Sequence, residues 1–208
     1  MKLQLALDEM NLDAALELME KVKDYVDIIE IGTPFCLDAG NNAVEKFKKA
    51  YPDKEVLADC KIMDGGYLEA ENAIKAGADY VTVCAAADVL TVKGAFKATQ
   101  AYGKKLVVDM ITIEDIPGKV AELEEIGVDV LAVHTGADAQ AVGREPIQDL
   151  EVMTGCAKKS EIAVAGGISS KTIDKYVALK PEIIIVGSAI GNAEDPVAEA
   201  KAIKEAML

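Results

Sequence analysis

The chain has 208 residues, of which 51% are hydrophobic, and a formal net charge of −14. This length and hydrophobic content suffice for one domain with a full core and argue against a disordered chain. The acidic balance argues against nucleic acids and anionic membranes as partners, because both attract a basic protein face. We see no signal peptide, no membrane-spanning segment and no metal-finger spacing of cysteines, so we expect a cytoplasmic protein.

Apolar strand segments alternate with amphipathic helix segments along the whole chain. Strands are predicted at residues 3–7, 27–31, 55–59, 78–83, 105–109, 128–133, 161–165 and 182–186. Helices are predicted at residues 11–22, 42–50, 67–76, 88–101, 115–126, 147–157, 171–178 and 196–206. Two Gly-(Ala/Val)-Asp segments, at 77–79 and 127–129, are typical of a helix C-cap that leads into a strand.

The eight strand–helix units predict an α/β fold, a (β/α)8 TIM barrel formed as a single domain over residues 1–208. Strand segments rich in Val and Ile are typical of parallel strands that are buried on both faces. A doubly wound open sheet is the alternative. It usually has fewer strands, and no G-x-G-x-x-G follows the first strand here.

The third strand ends in a D-x-K-x-x-D pattern formed by Asp59, Lys61 and Asp64. Alternation along a strand places Asp59 and Lys61 on the same face. Burial of these charges is costly unless they serve each other or a ligand. We therefore expect Lys61 to stay protonated between the two carboxylates, where it suits holding an oxyanion or delivering a proton. The alternative is an ion pair on a solvent-exposed rim.

The other strand ends are also polar, and the active site of such a barrel lies at the carboxyl ends of its strands. Glu30 and Asp59 belong to adjacent strands and are candidates to share Mg²⁺, which rarely has an all-protein cage. The alternative is that one of these two carboxylates is simply an ion-pair partner of Lys61 at the mouth of the barrel. His134, the single histidine, is a candidate general base, and a structural role is its alternative. The first and fifth strands end in Asp8 and Asp109.

Two glycine turns follow the last two strands. Glycine lets backbone N–H groups approach an anion, and a helix N-terminus adds a favourable dipole. The loops after strands 7 and 8 of such barrels frequently form a phosphate site. The sequence therefore predicts phosphate binding at Gly166, Gly167, Gly187 and Ser188.

Seven motifs along nearly the full length of the chain carry a family resemblance. They are Leu3-Gln-Leu-Ala-Leu-Asp8, Glu30-Ile-Gly-Thr-Pro34, Asp59-Cys-Lys-Ile-Met-Asp64, Val108-Asp-Met110, His134-Thr-Gly-Ala-Asp138, Ala165-Gly-Gly-Ile168 and Val186-Gly-Ser-Ala-Ile190. The chain resembles the group of 3-hexulose-6-phosphate synthases and 3-keto-L-gulonate-6-phosphate decarboxylases, within the orotidine-monophosphate-decarboxylase-like barrels. The D-x-K-x-x-D pattern is the most specific of these motifs.

The resemblance implies metal-assisted enediolate chemistry on a ketose phosphate. Glu30 and Asp59 are implied to hold Mg²⁺. Lys61 is implied to stabilise the enediolate, with Asp8 in its hydrogen-bond network. The late glycine turns are implied to hold the phosphate.

The resemblance also implies a homodimer with shared active sites, in which Asp64 reaches the site of the partner subunit. His134 is implied to move the proton. Synthases of the group resemble this chain in Val-Asp-Met after strand 5, whereas decarboxylases tend to carry glutamate in place of Asp109. Decarboxylases also tend to carry an arginine where Ala137 stands, and synthases often carry an aromatic residue there. The chain thus fits the synthase pattern better, with one departure.

We therefore expect a metal-dependent lyase that condenses D-ribulose 5-phosphate with formaldehyde. One alternative is decarboxylation of 3-keto-L-gulonate 6-phosphate through a similar enediolate. A sugar-phosphate-binding barrel without turnover is disfavoured by the ionisable groups at the strand ends, because binding alone needs few of them. A Schiff-base aldolase acting through Lys61 needs a neutral amine, which neighbouring carboxylates disfavour.

Overall fold

Eight short apolar segments form a closed barrel of parallel strands, in which each strand pairs with its neighbours in sequence. The computed structural model describes residues 1–208. The strands are β1 Lys2–Leu7, β2 Ile28–Ile31, β3 Glu55–Ile62, β4 Tyr80–Cys84, β5 Lys105–Asp109, β6 Val130–His134, β7 Glu161–Ala165 and β8 Ile183–Val186. Strand β8 closes the barrel against β1. The predicted (β/α)8 TIM barrel is therefore confirmed.

Helices follow the strands around the outside of the barrel. They are α1 Leu12–Val22, α2 Thr33–Ala39, α3 Asn41–Ala50, α4 Gly66–Lys75, α5 Val89–Ala101, α6 Ile116–Ile126, α7 Ala137–Ala141, α8 Ile147–Cys156, α9 Ile173–Val177, α10 Ser188–Gly191 and α11 Pro196–Ala206. Side chains of Asn11 and Asp88 accept hydrogen bonds from first-turn N–H groups, which fixes the starts of α1 and α5. No helix of the structure is both long and apolar enough to span a membrane.

Three additional helices and a longer third strand are the main differences from the prediction, and the other bounds agree to within two residues. Helices α2, α7 and α10 were not predicted, because four to seven residues are too few to show a helical period. Each begins after a glycine at the carboxyl end of a strand, at Gly32, Gly136 and Gly187. Strand β3 was predicted to end at Asp59 but continues to Ile62. These four main differences lie at the carboxyl face of the barrel.

Two apolar layers hold the barrel together. A cluster of 52 buried residues fills the space between the strands and the helices, and a cluster of eight fills the barrel interior. The interior cluster consists of Ile28, Leu57, Tyr80, Val107, Val130, Ala132, Ala163 and Ile183. These side chains form an apolar plug toward the amino ends of the strands, so only the carboxyl end of the barrel is open for a site.

A repeated hydrogen bond supports the amino ends of the strands. The acidic residue before each even-numbered strand accepts a hydrogen bond from the second N–H of the preceding strand. The pairs are Asp27 with Leu3 at 2.7 Å, Asp79 with Val56 at 3.0 Å, Asp129 with Leu106 at 2.9 Å and Glu182 with Ile162 at 2.7 Å. The predicted Gly-(Ala/Val)-Asp segments supply two of these acids, and Gly127 is the left-handed C-cap of α6. The segments therefore end a helix and join two strands at once.

Replacing Asp129 with alanine is expected to lower the free energy of unfolding by about 1–3 kcal/mol, because the buried Leu106 N–H loses a charged acceptor. Asp129→Asn keeps an acceptor oxygen and is expected to lose less. Urea unfolding near pH 7 measures both variants. An alanine variant as stable as the wild type would contradict a stabilising role for this hydrogen bond.

Candidate active site

A cavity of about 980 Å³ opens at the carboxyl ends of the strands. It contains every predicted site residue except Asp64. The predicted residues in its wall are Asp8, Glu30, Asp59, Lys61, Asp109, His134, Gly166, Gly167, Gly187 and Ser188. The structure thus brings together groups that are spread over about 180 residues of sequence.

Strand alternation explains why these polar groups share one cavity. On five strands, a side chain in the barrel interior is followed two residues later by a polar group. The pairs are Ile28 and Glu30, Leu57 and Asp59, Tyr80 and Thr82, Val107 and Asp109, and Ala132 and His134. Because every second residue of a strand faces the same side, the polar groups form a layer on top of the apolar plug.

Lys61 lies between two carboxylates. Its Nζ atom is 2.9 Å from Asp59 Oδ2 and 2.8 Å from Asp109 Oδ2. Burial lowers the pKa of Lys61, but the two carboxylates outweigh burial and hold that pKa above its usual range. The amine therefore stays protonated, as predicted, which disfavours Schiff-base chemistry at this residue.

The predicted contact of Lys61 with Asp64 is wrong within one chain. Strand β3 continues through Ile62, so Asp64 lies beyond the strand end and its side chain is exposed. Asp64 Oδ1 accepts a hydrogen bond from the N–H of Gly65 at 2.7 Å. Asp109, from a strand two positions away in the barrel, is the second carboxylate on Lys61.

Asp109 connects Lys61 to His134. Its Oδ2 atom lies 2.9 Å from His134 Nδ1, and its Oδ1 atom accepts a hydrogen bond from the N–H of Ile111. Burial raises the pKa of Asp109, but His134 and then Lys61 outweigh burial and lower the pKa to about 2. A carboxylate only accepts hydrogen bonds, so it assigns the proton of a neutral imidazole to Nδ1. The Nε2 lone pair then remains free to take a proton.

Both oxygens of Asp59 are held by threonine hydroxyls. Thr33 Oγ1 donates to Oδ2 at 2.7 Å, and Thr82 Oγ1 donates to Oδ1 at 2.7 Å. Sequence reasoning assigned no role to either threonine, because hydroxyls at strand ends are common. The alternation that singled out Asp59 also applies to Thr82, which lies two residues after the interior Tyr80, and could have identified it.

Glu30 is buried beside Asp59 on the adjacent strand. Gln4 Nε2, another donor that the sequence did not reveal, donates to Glu30 Oε2 at 2.6 Å. Burial, and then the negative charge of Asp59, raise the pKa of Glu30 well above its usual range. No cation of the chain forms an ion pair with Glu30.

The donor set at Glu30 and Asp59 fits Mg²⁺. Two carboxylate groups that face an open cavity suit an ion that keeps several waters. No group of three or more His, Cys, Asp or Glu side chains is arranged to hold a metal by itself. Water and substrate oxygens would therefore complete the coordination.

Asp8 makes no direct hydrogen bond to Lys61, contrary to the prediction; Lys61 Nζ donates to Asp59 and Asp109. The Asp8 carboxylate packs instead against the backbone of Gly32, where a Cβ atom would lie 2.0 Å from Asp8 Oδ1. Burial, and then Asp59, raise the pKa of Asp8. Asp8 thus acts on the site through charge and not through a hydrogen bond.

The two late glycine turns lie on the same cavity, and β7, which precedes the first turn, is opposite β3 in strand order. Gly166 has φ 128°, and a Cβ atom there would lie 2.8 Å from the carbonyl oxygen of Thr135. Gly167 has φ 66°, and Gly187 precedes the first residue of α10, Ser188. Only glycine fits Gly166 without strain, and the turn leaves the wall free of side chains there.

The model of the orotidine 5'-phosphate decarboxylase / HUMPS family matches residues 1–203. A protein named 3-hexulose-6-phosphate synthase 3, from Staphylococcus saprophyticus, is 46% identical over 100% of this chain and 99% of its own length.

Solved structures agree with this match. The crystal structure of 3-hexulose-6-phosphate synthase from Salmonella typhimurium is 55% identical with a TM-score of 0.98, over 100% of this chain and 98% of that one. A crystal structure of KGPDC from Streptococcus mutans is 27% identical with a TM-score of 0.92, over 99% and 96% of the two chains.

Glu30→Gln is expected to stabilise the metal-free protein near pH 8. Because the folded-state pKa of Glu30 is raised, the folded protein holds the carboxyl proton more tightly than the unfolded chain does. The stability that this proton contributes is complete below the unfolded-state pKa of about 4.3. That contribution is lost as the pH rises through the folded-state pKa. The amide carries no charge to bury, so the variant escapes this loss. Urea unfolding near pH 8 and near pH 4 measures the difference, which should shrink at the lower pH.

The exposed Glu9, which lines the same cavity, provides a matched control. Glu9→Gln should leave stability unchanged at both pH values. Mg²⁺ at about 100 times its dissociation constant should stabilise the wild type by about 2.7 kcal/mol and Glu30→Gln by much less. A Glu30→Gln variant that is less stable than the wild type at pH 8 would show that the carboxylate is not destabilising.

Proposed function

The chain belongs to the orotidine 5'-phosphate decarboxylase / HUMPS family, as its motifs predicted, and from this premise we propose that it is a 3-hexulose-6-phosphate synthase. Its reaction would be the reversible, Mg²⁺-dependent aldol condensation of D-ribulose 5-phosphate with formaldehyde. One observation carries the proposal: Lys61, Asp109 and His134 form a hydrogen-bonded chain in the wall of the cavity. The names of relatives that match the whole chain support it.

The sugar phosphate would bind with its phosphate at the glycine turns. Backbone N–H groups provide favourable potential for an anion in a wall that is otherwise rich in carboxylates. The groups concerned are Gly166, Gly167, Gly187 and Ser188. The ketone end would then point toward Glu30, Asp59 and Lys61, on the other side of the cavity.

Glu30 and Asp59 would hold Mg²⁺, which when bound acts as a Lewis acid on the ketone oxygen and makes the C1 proton more acidic. The remaining chemistry rests on side chains of the chain itself. His134 Nε2 would take the C1 proton, because Asp109 keeps the other ring proton on Nδ1. The charged Lys61 amine would stabilise the negative charge of the enediolate.

The enediolate carbon C1 would then attack the carbon of formaldehyde. The new bond joins these two carbons, and the formaldehyde oxygen becomes an alkoxide. Protonated His134 would return its proton to that alkoxide, which leaves a hexulose 6-phosphate with its ketone at C3. Every proton is accounted for, and the chain is returned to its starting state.

Decarboxylation of 3-keto-L-gulonate 6-phosphate is the second candidate, because it passes through a similar enediolate. Ala137 bears on this choice. It is the first residue of α7 and lies in the cavity wall, so a side chain at this position faces the substrate. The arginine that decarboxylases of the group tend to carry there is absent, which favours the synthase.

The proposed partner is a second copy of the chain. Large apolar side chains are exposed in the segments that follow β2, β3 and β4. They are Leu37, Met63, Tyr67, Leu68 and Leu90. Exposed apolar side chains that gather on one face are typical of a protein–protein interface. A two-fold dimer through this face would carry Asp64 to the site of its neighbour.

The deciding experiment compares two reactions side by side. The purified protein is expected to consume ribulose 5-phosphate and formaldehyde with Mg²⁺, to lose this activity in EDTA, and to leave 3-keto-L-gulonate 6-phosphate largely unchanged. His134→Asn should also lose hydrogen exchange at C1 of ribulose 5-phosphate in D₂O while still binding the sugar. Faster decarboxylation than condensation would overturn the synthase, and wild-type exchange in His134→Asn would overturn the base.

Shared sites can be tested by mixing two variants, Asp64→Ala and Lys61→Ala, each expected to be nearly inactive alone. If Asp64 acts in the neighbouring site, a mixed dimer has one site with both lesions and one with neither. Mixing under exchange conditions should then restore up to about a quarter of the wild-type activity, as random reassortment gives for two sites per dimer. No recovery, with subunit exchange verified by mass, would show that Asp64 acts within its own chain.

A further inference from the structure

Thr82 is a buried polar residue in the middle of β4, and only 5% of it is exposed. Its hydroxyl makes two hydrogen bonds to neighbouring β3. It donates to Asp59 Oδ1 at 2.7 Å and accepts from the backbone N–H of Lys61 at 2.9 Å. A hydroxyl has one proton to donate, and Thr82 donates it to Asp59.

The backbone of β3 is irregular opposite Thr82. Ala58 pairs with Val81, but the next residue in register is Ile62, which pairs with Val83. Four steps along β3 thus correspond to two steps along β4, and the extra residues form a bulge. Lys61 lies in this bulge with φ 43°, a left-handed conformation that side chains other than glycine rarely adopt.

Strand β4 holds the bulge at both polar atoms of the Lys61 backbone. Thr82 Oγ1 accepts from the N–H, and Cys84 Sγ lies 3.5 Å from the carbonyl oxygen as a weak donor. These side-chain contacts replace the ladder hydrogen bonds that the register shift removes. A strained residue of this kind persists only where its surroundings hold it in place, which is typical of functional sites.

We propose that Thr82 is a positioning residue that sets the carboxylate of Asp59 and the side chain of Lys61 in one fixed arrangement. Asp59 would otherwise turn about its own side chain, and the bulge would relax and move the Lys61 amine away from Asp109. This inference rests on the proposed function, in which Asp59 holds Mg²⁺ and Lys61 stabilises the enediolate. Removal of a residue that hydrogen-bonds to a metal ligand and orients it typically lowers metal affinity or activity by about 10–100-fold.

Thr82→Val tests the proposal, because valine keeps the shape of threonine and removes both hydrogen bonds. Mg²⁺ affinity by calorimetry is expected to fall about 10–100-fold, and kcat is expected to fall by a similar factor. The KM for ribulose 5-phosphate should stay within about twofold, because the phosphate binds at the distant glycine turns. Thr82→Ser restores the hydroxyl and should return both quantities to within about threefold of the wild type.

Thr99→Val is the matched control. Thr99 is fully buried on α5, and its hydroxyl donates to the carbonyl oxygen of Phe96 at 2.8 Å, away from the cavity. This variant also loses one buried hydrogen bond, so it should lose stability while its kcat and Mg²⁺ affinity stay unchanged. A general loss of packing would affect both variants alike.

Thr82→Val with wild-type Mg²⁺ affinity and kcat would overturn the positioning role, and so would a serine variant as impaired as the valine variant. If Thr82→Val does not fold, Thr82→Ala removes the same hydroxyl without added bulk and is judged by the same two measurements. A wild-type chain that binds no Mg²⁺ would overturn the proposed cofactor instead. Hydrogen exchange at C1 in the serine and alanine variants would then decide the role of Thr82.

Discussion

A lysine ammonium group held between two carboxylates is the interaction on which the carboxyl face of this barrel depends. Lys61 contacts Asp59 on its own strand and Asp109 two strands away. Buried charges are tolerated only when they are paired and hydrogen-bonded, so neighbouring side chains must supply hydrogen bonds to them. Thr33 and Thr82 hold Asp59, and His134 contacts Asp109. The two ion pairs of Lys61 thus connect groups from β3 to β6 and from the start of α2.

The charges at the cavity are unbalanced, and this imbalance fits a cation-dependent site. Lys61 is already neutralised by its two partners, while Glu30 and Asp8 have no paired cation. Burial and the charge of Asp59 raise the pKa of both carboxyl groups. A site that keeps like charges together without a bound ion sacrifices stability, a trade that is common where function requires it.

The two ends of the barrel use acidic residues for different purposes. At the amino ends, carboxylates accept hydrogen bonds from strand N–H groups and join one strand to the next. At the carboxyl ends, carboxylates face an open cavity and contact a lysine and a histidine. Barrels of this class separate stability from activity between their two faces, and the same residue type serves both here because its surroundings differ.

The sequence by itself determined the barrel and most of the site's members. Periodicity located eight strands and eight helices, and strand ends marked the polar groups, because alternation places every second residue of a strand on one face. Only the tertiary structure decided which groups meet. Lys61 pairs with Asp109, 48 residues away, and not with Asp64, three residues away. The left-handed conformation of Lys61 and the register shift opposite Thr82 accompany this pairing. Both arise from contacts between strands, which local sequence patterns do not encode.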